Sequence, residues 1–464
     1  MSVIVRNAEV AGHPRPVDVR IDQSAVVAIG SPLPAEHADP VLDARNGALL
    51  PGLHDHHVHL RASAAAVASI PVGPPAVRSL ADVRVALASA PEGPEAWIRA
   101  VGYHESVAGP LDASVLDEVE PVRPVRVQHR SGKLWILNGE ALRRTGAAAH
   151  DAPGIERAPG GALTGRVWRM DDWLATVTPR APLDFAAVGR LAAARGVTGF
   201  TDADPRRTPG DVDDLIRALF DGRLPQRVHA MAPEGVDVSG PRLTRGPVKI
   251  LLDDEALPAL AGLEARIAEA HSAHRNVAVH CVTRTQLVLT VAALESAGAR
   301  SGDRIEHGAV IPSELIGALH AMDVTIVTQP NFVADRGDEY ISAVDPADLG
   351  DLYRCGSLID AGVPVAFGTD APYGEADPWH TITAAVERRT RSGAHLNADE
   401  AIDAPAALRR FLGRDDAPTR LRRVDVGCVA DLCLLKAPLA EALATPSPDL
   451  VEATIVGGEL VWPA

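Results

Sequence analysis

The stretch Ala48–Leu60 reads A-L-L-P-G-L-H-D-H-H-V-H-L, an apolar run that passes within a few residues into a row of imidazoles. Side chains two apart on an extended strand share a face, so His57 and His59 project together while His56 and Val58 point away. Two imidazoles on one face make half a metal site. An isolated H-x-H pair also reads as a His-rich turn, but here Pro51-Gly52-Leu53 and Asp55 precede it and complete P-G-L-x-D-x-H-x-H. Asp55 has the parity of the pair and lies one step deeper, where a hydrogen-bonding role beneath a metal is expected. His54 and His56 share the opposite face and read as packing or supporting residues.

The surrounding chain bounds what such a site can serve. Its 464 residues exceed the usual single-domain range and fit one large domain with insertions plus a smaller one. A hydrophobic content of 46% is globular, and an aromatic content of 3% offers no stacking platform for bases. The formal net charge of -16 repels phosphate backbones, so no nucleic-acid partner is expected. The first ten residues, M-S-V-I-V-R-N-A-E-V, lack the apolar core of a signal peptide, and no apolar run approaches the roughly 18 residues of a membrane span. The four cysteines, Cys281, Cys355, Cys428 and Cys433, show no C-x-x-C spacing. Reduced thiols and a cytoplasmic location are the expectation.

P-G-L-x-D-x-H-x-H resembles the amidohydrolase superfamily, where it closes the first strand of a (β/α)8 TIM barrel. The expected fold class is therefore α/β, and the alternation of apolar β-rich runs with Ala/Leu-rich helical segments is that of a parallel sheet buried on both faces. Candidate strands are 49–59, 125–129, 196–202, 227–231, 248–252, 277–281, 304–307, 324–329 and 365–370. That is one too many for a barrel, and the surplus is expected within 227–252. Short strands before residue 50 and after 417 match each other, with Gly457-Gly458-Glu459 as a hairpin turn, and suggest a composite β-sandwich. The expected domains are 1–50 and 417–464 for the two halves of that sandwich and 51–416 for the barrel. Two excursions, Arg61–Val122 and Pro330–Gly356, follow strand ends and are expected over the barrel mouth, where substrate selection resides.

His280 ends V-A-V-H, His307 ends R-I-E-H, Asp370 ends V-A-F-G-T-D and Lys249 lies in V-K-I-L-L-D. Barrel enzymes place their reacting groups at such strand ends. This order, with V-T-Q-P-N-F and F-G-T-D-A-P-Y-G-E-A-D-P-W, resembles the amidohydrolase family 3 (YtcJ-like) branch over nearly the whole chain. The resemblance implies that His57, His59, His280 and His307 bind a divalent metal, one or two ions. It makes Asp370 both ligand and proton shuttle. Zinc suits imidazole and carboxylate ligands, although manganese, iron, cobalt or nickel would also fit. In its best-known case bound zinc lowers the pKa of water to about 7 and polarises a carbonyl. The implied reaction is hydrolysis of a small-molecule carbon–nitrogen bond other than a peptide bond, in an amide, N-acyl amine, carbamate or cyclic amide. A deaminase on the same scaffold is the alternative, and a non-enzymatic binding protein a more distant one.

Lys249 matches the family's G-x-x-K-x-x-x-D-G segment except that Asp254 replaces the glycine. There a lysine carries CO₂ as a carbamate and bridges two ions; a plain lysine paired with Asp253 or Asp254 beside one ion is the other reading. Two departures from the family, His280-Cys281-Val282-Thr283 and Ser131-Gly132-Lys133, lie near the expected mouth and loosen any inherited specificity. Lys133, Glu105 and Arg336 are candidate substrate-binding residues, while His129 and Arg166 are similarly placed without a role. Cys281 reads as a packed thiol. The expected partner is a small-molecule substrate; a homo-oligomer stays open.

Overall fold

The computed structural model describes residues 2–34, 40–90, 93 and 96–463. The chain divides into two compact units, one formed by the stretches before Arg61 and after Asp184, the other by Arg61–Asp184.

In the first unit two parallel sheets contain β1 (Leu53–Val58), β2 (Val197–Asp202), β3 (Arg227–Ala230), β4 (Val248–Ile250), β5 (Val277–Cys281), β6 (Arg304–His307), β7 (Thr325–Thr328) and β8 (Val365–Phe367). β1, β2 and β3 are neighbours in one sheet, which the short strand Leu243–Arg245 extends; β4 to β8 follow in chain order in a second. After β8 the chain is bonded to the end of β1: Asp370 N donates to His57 O and His59 N to Ala371 O, each at 2.8 Å. Gly246 N donates to Ala230 O at 2.8 Å, continuing the pairing of β3 with Leu243–Arg245. All six residues of β1 are buried, as expected of a parallel strand covered on both faces. Gly368 is what lets β8 approach β1 this closely: a Cβ there would lie 2.5 Å from the His57 backbone nitrogen.

The termini supply two four-stranded sheets. Ala25–Gly30, Val17–Asp22, Ser2–Ala8 and Val41–Asp43 form one; Glu459–Trp462, Val451–Val456, Leu432–Leu435 and Leu49–Pro51 form the other. Their apolar residues share one buried cluster, in which Val5, Val19 and Ile21 meet Leu432, Leu434 and Ile455. Gly457 and Gly458, with φ of 57° and 85°, turn the last hairpin, the positive values such a two-residue loop requires.

The strand expectation is corrected at one place. Both 227–231 and 248–252 contribute parallel strands, and the surplus segment is Val125–His129 instead. It pairs antiparallel with Leu134–Leu137 across a short turn and parallel with Ile98–Tyr103, in a six-stranded sheet of the Arg61–Asp184 unit. That unit has its own apolar clusters, one around Val83, Leu87, Val125 and Val127 and another around Trp135, Leu142 and Val167. Arg61–Val122 is thus the first part of an independently packed body rather than a loop. Among the described residues no helix is long and apolar enough to cross a membrane.

Candidate metal centre

His57 occupies the end of β1 and His59 follows it, their rings 5.4 Å apart and edge-on. Asp370 follows β8 in a left-handed conformation, φ 56°, and His307 ends β6 with φ 69°. Side chains other than glycine seldom adopt this region, and such departures gather at functional sites. His57 Nε2 lies 3.5 Å and His59 Nε2 3.3 Å from Asp370 Oδ1, and the ligand atoms of these three residues lie within 4.8 Å of one another. The His307 ring stands 4.7 Å from that of His57 and 4.6 Å from that of His280, so the four imidazoles are contiguous.

Burial sets the protonation of this group. It pushes the His57 imidazole down to about 3 and His280 well below its ordinary value, with His307 lowered in the same direction. Neutral imidazole is the form that ligates a cation. Burial alone would raise Asp370, but His59, His57 and His307 outweigh it and hold the carboxyl below the usual range. Burial draws Lys249 down to about 8 against the pull of Glu306 and Asp370. Among the described residues His57 Nε2, Asp370 Oδ1 and Lys249 Nζ are buried without a hydrogen-bond partner. Buried polar atoms are rarely left so. Here nitrogen and carboxylate donors gather in one place, and a divalent cation would relieve the orphaned atoms.

The supporting residues are as informative. Asp55 accepts from Thr369 Oγ1 at 2.5 Å, Thr369 N at 3.0 Å and His57 N at 3.2 Å, tying β1 to the segment that carries Asp370; burial raises it to about 6. His57 Nδ1 is bonded to Glu306 Oε2 and His307 Nδ1 to Gln329 Oε1, the latter at 2.8 Å. Tyr373 stands edge-on to His59 with ring centroids 5.4 Å apart. Glu306, Gln329 and Tyr373 received no role from the sequence. Arg304 and Glu306 at i and i+2 in the short strand R-I-E-H were the available sign of a buried charged pair.

Other expected residues fall elsewhere. Arg336 is on helix α1 (Asn331–Ala343), over the Phe332 ring at 4.3 Å and bonded to Tyr373 O, which places it beside the centre. Glu105 and Lys133 belong to the Arg61–Asp184 unit. There His104, Glu105 and His129 form a second cluster of metal-type groups, with His129 Nε2 2.9 Å from Glu105 Oε2. Lys133 sits in the turn after Val125–His129, its backbone N bonded to Ser131 Oγ. Arg166 bonds Glu156 at 3.3 Å and lies over Trp168. A third cluster joins Asp335 on α1, Glu375, and His380 on α2 (Pro378–Glu387). Cys281 is buried against Thr290, burial pushing its thiol up to about 12, as a packed thiol should be.

A family model described as the amidohydrolase family matches residues 40–462. The chain belongs to that family. As an amidohydrolase it is an enzyme acting on carbon–nitrogen bonds other than peptide bonds. Its relatives include the amidohydrolase YtcJ of Bacillus subtilis (strain 168), 25% identical over 366 residues that cover 68% of this chain and 69% of the relative. N-substituted formamide deformylase of Arthrobacter pascens is 25% identical over 438 residues, 80% of this chain and 79% of that enzyme. In fold the amidohydrolase is similar to an uncharacterized metal-dependent hydrolase of Pyrococcus horikoshii OT3, with a TM-score of 0.73 at 17% identity, covering 97% of this chain and 99% of the other.

Proposed function

We propose that the protein is a metal-dependent hydrolase of a small-molecule amide, N-acyl amine, carbamate or cyclic amide. The eight parallel strands would form its (β/α)8 barrel, residues 51–416, and the two terminal stretches 1–50 and 417–464 a small β-sandwich. The observation that carries the reading is the convergence of His57, His59 and Asp370 around orphaned buried atoms. His57, His59, His280, His307 and Asp370 would hold one or two divalent ions, zinc by the chemistry of the donor set. When bound, such an ion supplies Lewis-acid polarisation of the substrate carbonyl and a water of lowered pKa. Asp370 accepts the proton of the attacking water and returns it to the leaving nitrogen, which otherwise departs as a poor anion. Asp370, held below the usual carboxyl range, is ionised at neutral pH, the form that can accept that proton.

Lys249 would take part as a carbamate: its neutral Nζ would add CO₂ with loss of one proton, giving an anionic group able to help hold the ions and giving the orphaned Nζ a use. Arg336, bonded to Tyr373 O, is proposed to read the substrate. The free cysteines suit a reducing, cytoplasmic setting.

The test is metal analysis together with a hydrolysis panel of N-substituted formamides, other N-acyl amines, carbamates and cyclic amides, assayed with and without bicarbonate during metal loading. Metal-dependent release of amine and acid supports the reading, and release of ammonia from amidine-type substrates alone would move it to a deaminase. Protein that gains neither metal nor activity in metal-replete conditions would overturn it.

A further inference from the structure

A neutral imidazole has one proton to place, and the nitrogen that carries it cannot ligate a cation. The partner of Nδ1 therefore decides whether Nε2 is available. Gln329 Nε2 donates to Val327 O at 3.2 Å, so Oε1 is the atom presented to His307. Glu306 is fully buried and held by Arg304, which donates to Oε1 at 2.7 Å and Oε2 at 3.1 Å and reaches His56 O at 2.6 Å. Beside that guanidinium Glu306 is a carboxylate and can only accept. Both Nδ1 atoms thus carry the proton and both Nε2 atoms keep a lone pair. His57 Nε2 is turned toward Asp370, 3.5 Å away, and has no hydrogen-bond partner among the described residues. The two histidines differ in the charge of the partner behind them.

We infer that Glu306 is a positioning residue for the metal centre: as a buried carboxylate accepting from His57 Nδ1, it fixes the tautomer and aim of His57 and makes Nε2 a stronger donor to a cation than the amide-backed His307. This rests on the metal-dependent reading above. A carboxylate behind an imidazole raises its basicity and removes its rotational freedom, and losing such a partner commonly weakens metal binding about 10- to 100-fold. Arg304 serves the same end one step further out. It keeps Glu306 ionised and pins it against β1 through His56 O.

Glu306→Gln keeps an acceptor oxygen and removes the charge, but it leaves Arg304 buried beside a neutral group. Arg304→Gln/Glu306→Gln is therefore made alongside it. Zinc affinity of the chelator-stripped proteins is measured by competition, and the absorption bands of the Co²⁺-loaded proteins are recorded. In a folded variant affinity should fall about 10- to 100-fold with a shift of the Co²⁺ bands; values within about twofold of wild type would overturn the assignment. Nitrogen NMR of the unaltered metal-free protein, with His57 identified by loss of its signals in His57→Gln, needs no folded Glu306 variant. A proton on Nδ1 alone supports the inference, and one on Nε2 defeats it. Wild-type protein that binds no zinc would sink the metal-dependent reading, whereas the His57 tautomer would still report on Glu306.

Discussion

His57 and His307 in one unit and His104 and His129 in the other are the same side chain put to opposite uses. In the centre each Nδ1 faces an acceptor, Glu306 or Gln329, and His57 Nε2 is buried with no hydrogen-bond partner among the described residues. In the Arg61–Asp184 unit each histidine begins an H-x-S turn, and the backbone N of Ser106 or Ser131 donates to Nδ1 at 3.1 Å. Nδ1 must accept there, so Nε2 carries the proton, and His129 presents it to Glu105. Both clusters hold His and Glu or Asp at ligand-like distances, but in the first the bare Nε2 of His57 is turned toward Asp370. On the metal-dependent reading, the partner of the second ring nitrogen, a few ångströms behind the site, is what separates a candidate cation site from a hydrogen-bonded cluster.

The strongest way to break this comparison is through the carboxylate at its centre. Asp370→Asn should retain the metal, because the amide still offers an oxygen, and lose about 10²- to 10⁴-fold in turnover. Retained metal with an unchanged rate would make Asp370 a ligand only. Next in size is metal content itself. His57→Gln should lower bound metal about tenfold or more, while His104→Gln and His129→Gln keep the wild-type complement by elemental analysis. A loss of metal in either of the latter would mean that the H-x-S turns do not hold their tautomer.

A steric change tests the centre without touching a ligand. Gly368→Ala places a methyl 2.5 Å from the His57 backbone, so β8 must move off β1. Overpacking of this kind costs about 1 to 3 kcal/mol, read as a lower urea midpoint, and metal affinity should fall with it; an unchanged midpoint would mean that the strands can part freely. The smallest effect belongs to the third cluster. Hydrogen bonding to Asp335, at 3.0 Å, raises the pKa of His380 above its ordinary value. A raised histidine stabilises the fold fully below its unfolded pKa of about 6.5 and loses that contribution as pH climbs through the folded value. The Tm gap between wild type and His380→Gln should therefore shrink from about pH 6 to about pH 9. The pair is partly exposed, so the whole effect is at most about 1 kcal/mol. A gap that widens with pH would reverse the assignment.

The residues that converge at the centre were legible because strand parity and strand ends are properties of the sequence: period two put His57 and His59 on one face, Asp370 ends an apolar run, and the family resemblance joined them into one set. Glu306 was not legible, because parity turns it away from His307. The alternation fails at that point, where His307 leaves extended geometry with φ 69° and both side chains take part in the centre. Val125–His129 misled for a related reason. A short buried strand carries the same apolar residues whether its neighbours are barrel strands or a hairpin partner, and only pairing with Leu134–Leu137 distinguishes them. The Arg61–Asp184 unit stayed hidden behind that one misassigned strand. The tautomer of His57 was out of reach, since it depends on a partner as remote in sequence as Glu306, whereas those of His104 and His129 depend on serines two residues on.

The bond from Thr369 N to Asp55 spans 314 positions, and with it the first strand of the centre waits for the last. A ribosome adding about 5 to 20 residues per second needs tens of seconds to cover that distance. Throughout that interval His57 and His59 exist without Asp370, and the strand that bears them lacks its closing neighbour. On the metal-dependent reading proposed above, the ion would be chosen by the assembled protein rather than by a loose pair of imidazoles on the nascent chain.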